Sequence, residues 1–105
     1  MNIGEALRSF GGLQVKMESA QNRLAVLRID GHSDDGYVTI TMNGRHETLK
    51  VAIASELLIG GDATQVERSV GQALERAGKS AREAQSSELS NLFGGLPIPG
   101  FKLPF

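Results

Sequence analysis

The residues of this chain best placed to do chemistry are cations. Projected at about 100° per residue, Arg68, Arg76, Lys79 and Arg82 fall within an arc of roughly 120°, with Gln72 and Ser86 among them. On the other side Val66, Val70, Ala73, Leu74, Ala77, Ala81 and Ala84 occupy an arc of roughly 100°. A helix built this way buries a seam that is mostly Ala, so another backbone can come close. It holds four positive charges toward solvent over about four turns. Such a row can follow a line of phosphates. It can also be a solvated face laced with ion pairs. Glu75 and Glu83 interrupt the row, and Glu75 precedes Lys79 at the favourable i,i+4 spacing.

Other groupings offer less. Ala73 to Ser80, ALERAGKS, imitates a phosphate-binding loop with Ala in place of the first Gly. Such a loop must follow a strand and open a helix, so that free N–H groups meet the phosphate. Here Gly78-Lys79-Ser80 falls inside helical periodicity, where those groups are already bonded. The two imidazoles are His32 and His46. His32 lies near Asp34 and Asp35, which invites a metal or acid–base reading, but a polar loop between strands explains the same residues. No Ser-His-Asp grouping, metal-ligand pair at helical spacing or Gly-rich cofactor loop is visible. No catalysis, metal or cofactor is expected.

The elements that must carry the cations are legible from periodicity. Residues 3–27 read as a helix with Ile3, Leu7, Phe10, Leu13, Met17, Ala20, Leu24 and Leu27 recurring at spacings of three and four. Gly11-Gly12 should interrupt it, because each Gly costs about 1 kcal/mol in a helix interior. The narrow seam suits a partner helix or the chain's own sheet. Residues 26–53 read as a three-stranded antiparallel meander. Its last two strands flank Asn43-Gly44, a strong hairpin signal. A two-residue type I′ turn would set Met42 opposite Arg45, Ile40 opposite Glu47 and Val38 opposite Leu49. Val38, Ile40, Met42, Leu49, Val51 and Ile53 would then share a dry face. Residues 54–59 allow one helical turn. Thr64 with Glu67 has the form of a capping box, so a second helix is expected over 64–87. Residues 88–105, rich in Gly and Pro, should be irregular, with Leu92, Phe93, Phe101 and Phe105 docked on some surface.

Composition narrows the class. The chain has 105 residues, 40% hydrophobic and 22% charged, which suits one soluble domain with a modest core. Aromatic residues make up 5% and Trp is absent, so that core must be aliphatic. There is no Cys, which excludes disulfides and thiolate chemistry. Net charge is −1, but the acid concentrates in residues 28–63. The N-terminus lacks a basic region followed by an apolar run, and no stretch reaches membrane-spanning length. A cytoplasmic protein without a membrane partner is expected.

Three stretches carry a resemblance. Gly36-Tyr-Val-Thr-Ile-Thr-Met-Asn-Gly44, Val51-Ala-Ile-Ala-Ser-Glu-Leu-Leu58 and the ending Pro99-Gly-Phe-Lys-Leu-Pro-Phe105, with the order of elements, resemble the YbaB/EbfC family of bacterial nucleoid-associated proteins. The likeness covers essentially the whole chain. It departs at Gly4, Gly11 and Gly12, where the family has a Gln/Met/Lys-rich stretch. It departs again at Ala73–Ala77, where the family often has an Ala-Asn-Asp-Ala run. The resemblance implies an α+β homodimer with a shared core and projecting helical arms, which binds double-stranded DNA at the nucleoid without catalysis. Phosphate contacts are then expected from Lys16, Arg23, Arg68, Arg76, Lys79 and Arg82, with Arg8 and Lys102 as weaker candidates. With no stacking aromatics on either helix, sequence preference should be slight. The alternative is a dimeric protein-interaction module that uses the helices and the Phe-rich tail.

Overall fold

The structure is a computed structural model that describes residues 3–92. Its elements are α1 (Ile3–Val26), β1 (Ile29–His32), β2 (Val38–Met42), β3 (Thr48–Ile53), α2 (Ser55–Gly60) and α3 (Ala63–Leu92). The strands form one antiparallel sheet in the order β1-β2-β3. This is the α+β meander expected from the alternating pattern. The long second helix extends to Leu92, past the expected end at 87, because nothing before the Gly-Gly pair breaks it. Its start is capped by Asp62, not by the Thr64–Glu67 pair. The Gln65 N–H donates to Asp62 Oδ1 at 2.8 Å, which satisfies an otherwise orphaned donor of the first turn. α1 runs without a break through Gly11-Gly12. Two glycines weaken a helix of this length but do not undo its cooperative ladder.

The core lies where α3 crosses β1 and β2. Val38, Ile40, Met42, Leu57, Ala73, Ala77 and Ala81 are all buried, with Ile29, Ile53, Val66 and Val70 packed against them. The small side chains of α3 serve a close approach. A Cβ on Gly31 of β1 would collide with the Ala73 carbonyl oxygen and the Ala77 nitrogen. Strand and helix thus touch backbone to backbone. The open face of the sheet is polar and zipped across strands. Thr41 Oγ1 donates to Asp30 Oδ1 at 2.6 Å, and His32 Nδ1 lies 2.9 Å from Thr39 Oγ1. His32 is therefore a cross-strand partner of Thr39.

The β2–β3 hairpin departs from the expected register. Val38 pairs with Ile53 and Ile40 with Val51, a slip of four residues, and a bulge sets Met42 opposite Thr48. From Val38 to Thr41 the slip is even, so Val51 and Ile53 keep the face expected of them, whereas the bulge sets Thr48 opposite Met42 of the dry face. The cause lies in the loop. Asn43 N–H donates to the Glu47 carbonyl at 3.0 Å, and His46 N–H donates to the Asn43 carbonyl at 3.1 Å. Asn43 Oδ1 accepts from the Arg45 and Glu47 N–H groups at 2.9 and 3.1 Å. The left-handed residue is His46, with φ 68°. This is a longer turn closed by a bulge, not a two-residue type I′ turn. Gly44 is required for contact instead. Its N–H donates to the Leu24 carbonyl of α1 at 2.7 Å, and a Cβ there would stand 2.7 Å from Leu24 Cδ2. The hairpin tip thereby caps the end of α1.

Among the described residues, the apolar seam of α1 is covered only near that tip and beside α3, where Ala20 and Leu24 are buried. It rests on α3, not on the sheet. The expected dry face is also incomplete. α3 packs on β1 and β2, so Leu49 and Val51 on the edge strand β3 remain 46% and 51% exposed.

The turn after β1 is pinned to α3. Asp34 exchanges two hydrogen bonds with the Gln72 amide, at 3.0 and 3.1 Å. Asp35 accepts from Ser33 Oγ at 2.6 Å, from Ser69 Oγ, and from the Tyr37 N–H at 3.0 Å. These donors, Ser33 foremost, stabilise the carboxylate and lower its pKa from 3.8 to about 2.

Two outcomes follow from this packing. Gly31→Ala should cost more than about 2 kcal/mol, because the added methyl meets backbone that cannot rotate away; urea unfolding measures it, and a change below about 0.5 kcal/mol would contradict the contact. Asp35→Asn should lower the melting temperature at neutral pH. The depressed native pKa gives the wild type an advantage that is complete above 3.8 and fades as pH falls toward about 2. The gap between wild type and variant should therefore narrow across that window, and a gap independent of pH would count against the Asp35 contacts.

Candidate nucleic-acid interface

The α3 backbone carries Arg68, Arg76, Lys79 and Arg82, and all four are exposed. The buried Ala row turned toward β1 and β2 forces the rest of the helix outward, as the periodicity requires. Their local settings differ. Arg76 lies at one margin of the exposed face and reaches back to the sheet. Its Nη1 donates to the His32 carbonyl at 2.6 Å, and its Nη2 pairs with Asp34 Oδ1 at 2.6 Å. Arg82 lies at the other margin, beside Gly78 and the His46 ring. Arg68 borders a shallow cleft with Asp34, Asp35 and Asp62. Among the described residues, Arg68, Lys79 and Arg82 form no salt bridge. Gly78-Lys79-Ser80 lies within α3, and Gly78 is buried, so the apparent phosphate loop is ordinary helix.

On α1, Arg23 makes a two-pronged pair with Glu88 of α3, Nε to Oε1 at 3.0 Å and Nη2 to Oε2 at 2.8 Å. The hydrogen bond holds the Glu88 carboxyl below its ordinary range and raises the Arg23 guanidinium. The pair locks α1 alongside α3, two helices that otherwise touch over a short stretch. Lys16 is exposed on α1, forms no salt bridge among the described residues, and lines a groove with Val15, Ser19, Arg23, Asn91 and Leu92. Arg8 is exposed nearer the start of α1 and donates to the carbonyl of Gly4 at 3.3 Å. Lys102 and the Phe-rich tail lie outside the described residues.

The candidate cations thus divide by what they hold. Arg23 and Arg76 fasten elements together, whereas Lys16, Arg68, Lys79 and Arg82 stand in solvent. An exposed ion pair contributes little to stability, so a phosphate can compete for either bound guanidinium. Sequence periodicity found the row but not this division. The partners of Arg76 and Arg23 lie 42 and 65 residues away in the chain. Asp34, Asp35, Ser69 and Gln72 were missed as anchors for the same reason. Among the described residues no group of three His, Cys, Asp or Glu is placed to hold a metal ion. None of their helices is long and apolar enough to cross a membrane.

Comparison with known proteins places this geometry. The crystal structure of the uncharacterized protein HP0035 from Helicobacter pylori is similar, with a TM-score of 0.78 over 90% of this chain and 99% of that one. At 20% identity the likeness speaks for the fold alone. The model of the YbaB/EbfC DNA-binding family matches residues 1–96. That family is one of DNA-binding proteins and not of enzymes, and its membership supports a DNA-binding role at the nucleoid. With the match running through every described element, the chain belongs to the YbaB/EbfC DNA-binding family.

Proposed function

We propose that this protein binds duplex DNA as a homodimer, mainly through phosphate contacts and with little sequence preference. The observation that carries the reading is the row of Arg68, Lys79 and Arg82 on the solvent face of α3, free of salt bridges among the described residues. Three long basic side chains spaced along a rigid helix suit a line of phosphates. Lys16 on α1 adds to the row. Arg23 and Arg76 join once a phosphate displaces Glu88 or Asp34. Arg8 and Lys102 are outlying contacts. Neither α1 nor α3 offers a Tyr or Trp for stacking, and the one Phe described on them, Phe10, lies far from the α3 cations in sequence. Binding that reads phosphates instead of base edges is the result.

A two-chain body is supported by the edge strand. Among the described residues β3 is paired on one side only, by β2. Leu49 and Val51 lie half exposed along it. An open edge with apolar side chains is a surface that a second copy can satisfy by strand addition or by packing over it. A two-fold pair would also duplicate the cationic row, matching the symmetry of a duplex.

Two measurements test this. In a gel or filter assay on duplex DNA, the triple variant Arg68→Gln, Lys79→Gln, Arg82→Gln should bind more weakly. Its log K against log salt should flatten by about 0.9 for each phosphate that the variant no longer neutralises. Arg76→Gln alone should change affinity less, because its charge is already matched. An unchanged salt slope in the triple variant would remove α3 from the interface. By light scattering, the wild type should have twice the 11.2 kDa chain mass, and Leu49→Lys with Val51→Lys should shift it toward one chain. A wild type that stays single at micromolar concentration would end the dimer reading.

A further inference from the structure

The tip of the β2–β3 hairpin brings one more side chain to the α3 cations. His46 stands in the left-handed region, with φ 68°, a backbone conformation that residues with a side chain seldom adopt. Gly78 sits in the interior of α3, where Gly is a poor helix former. These two departures meet at one place. A Cβ on Gly78 would lie 3.0 Å from His46 Nε2 and 3.5 Å from Arg82 Nη1. Bare helix backbone at Gly78 is what lets the imidazole lie against α3, beside the guanidinium.

The loop that presents His46 is held firmly. The His46 N–H donates to the Asn43 carbonyl at 3.1 Å, and the Gly44 N–H donates to the Leu24 carbonyl at 2.7 Å. The two side chains themselves are unengaged. His46 and Arg82 are both exposed, and among the described residues neither side chain has a hydrogen bond or an ion pair. The acid beside His46 in sequence, Glu47, is already occupied. It accepts from Asn43 Nδ2 at 2.9 Å and faces Arg45 Nε at 3.7 Å. Two donor groups thus converge on one spot in solvent with no acceptor among the described residues.

We propose that His46 and Arg82 grip a single phosphate of the DNA backbone between them, which carries the interface from α3 onto the hairpin. The proposal rests on the reading of α3 as a phosphate-binding face and deepens it. A protonated Nε2 donates to one phosphate oxygen and Nη1 to another, so the guanidinium supplies charge and the imidazole fixes direction. Backbone strain held at an exposed polar site is a mark of function, and here it serves to aim the ring. The pair also makes the cationic face unequal. At one margin Arg76 is matched by Asp34, whereas at the other Arg82 is reinforced by His46. A duplex is therefore drawn toward the hairpin side of α3.

His46→Asn tests this, because Asn tolerates the left-handed backbone but is too short to reach the phosphate. It should weaken duplex binding by about threefold or more. The slope of log K against log salt should stay that of the wild type, since Arg82 still neutralises the phosphate. In an Arg82→Gln background the same change should cost less than about twofold, because the shared phosphate is already loosened. Unchanged β2 amide signals certify the fold of each variant. In NMR titrations the His46 ring signals of the wild type should shift on adding a short duplex, and shift less in Arg82→Gln. A loss below about threefold, equal losses in both backgrounds, or a ring that ignores a bound duplex would overturn this inference and leave α3 in place. A wild type that binds no duplex would overturn both readings.

Discussion

The rest of the structure depends on the contact of β1 with α3, made without side chains between them. Gly31 leaves no room for a methyl group above the Ala73 carbonyl and the Ala77 nitrogen. A core built on such an approach is thin, and it obliges the helix to present Ala where most helices present Leu. Once the Ala row faces β1 and β2, the arc on the far side must face water, and the cations there have no choice of direction. The charged face of α3 is thus a consequence of the packing face.

The same closeness explains the work given to the acids. A strand held by backbone contact needs its end fixed, and Asp34 and Asp35 do this by reaching Gln72, Arg76 and Ser69 on the helix. One of the cations on α3 is thereby committed to the fold. Arg23 is committed likewise, to Glu88. A ligand of phosphates meets a protein in which some positive charge is already answered and some is not. Affinity then reflects competition between carboxylate and phosphate as well as attraction.

Length and burial are poorly matched in this chain. Its Cα radius of gyration is 18.9 Å, against about 13 Å for a compact chain of 100 residues. The excess comes from two long helices that lie together over only part of their length. The sheet, covered on one face by one helix, leaves an open edge at β3. Among the described residues, apolar side chains along α1 and β3 stand exposed, and both are surfaces where further packing lowers free energy.

Local pattern alone determined the α+β class, the order of the elements, the three-stranded meander and the orientation of α3. Each rests on a period of two or 3.6 residues that survives any tertiary context. The family resemblance was legible too, in the order of short motifs. Tertiary structure decided what no period encodes. It moved the hairpin by four residues, because the backbone and side chain of Asn43 close the loop at Glu47 while Gly44 is taken up by the end of α1. It carried α1 through two glycines, and it gave the cap of α3 to Asp62. It also sorted the cations into those that fasten the fold and those that remain in water. That sorting depends on carboxylates distant in sequence and adjacent in space, a relation that spacing along one helix does not contain.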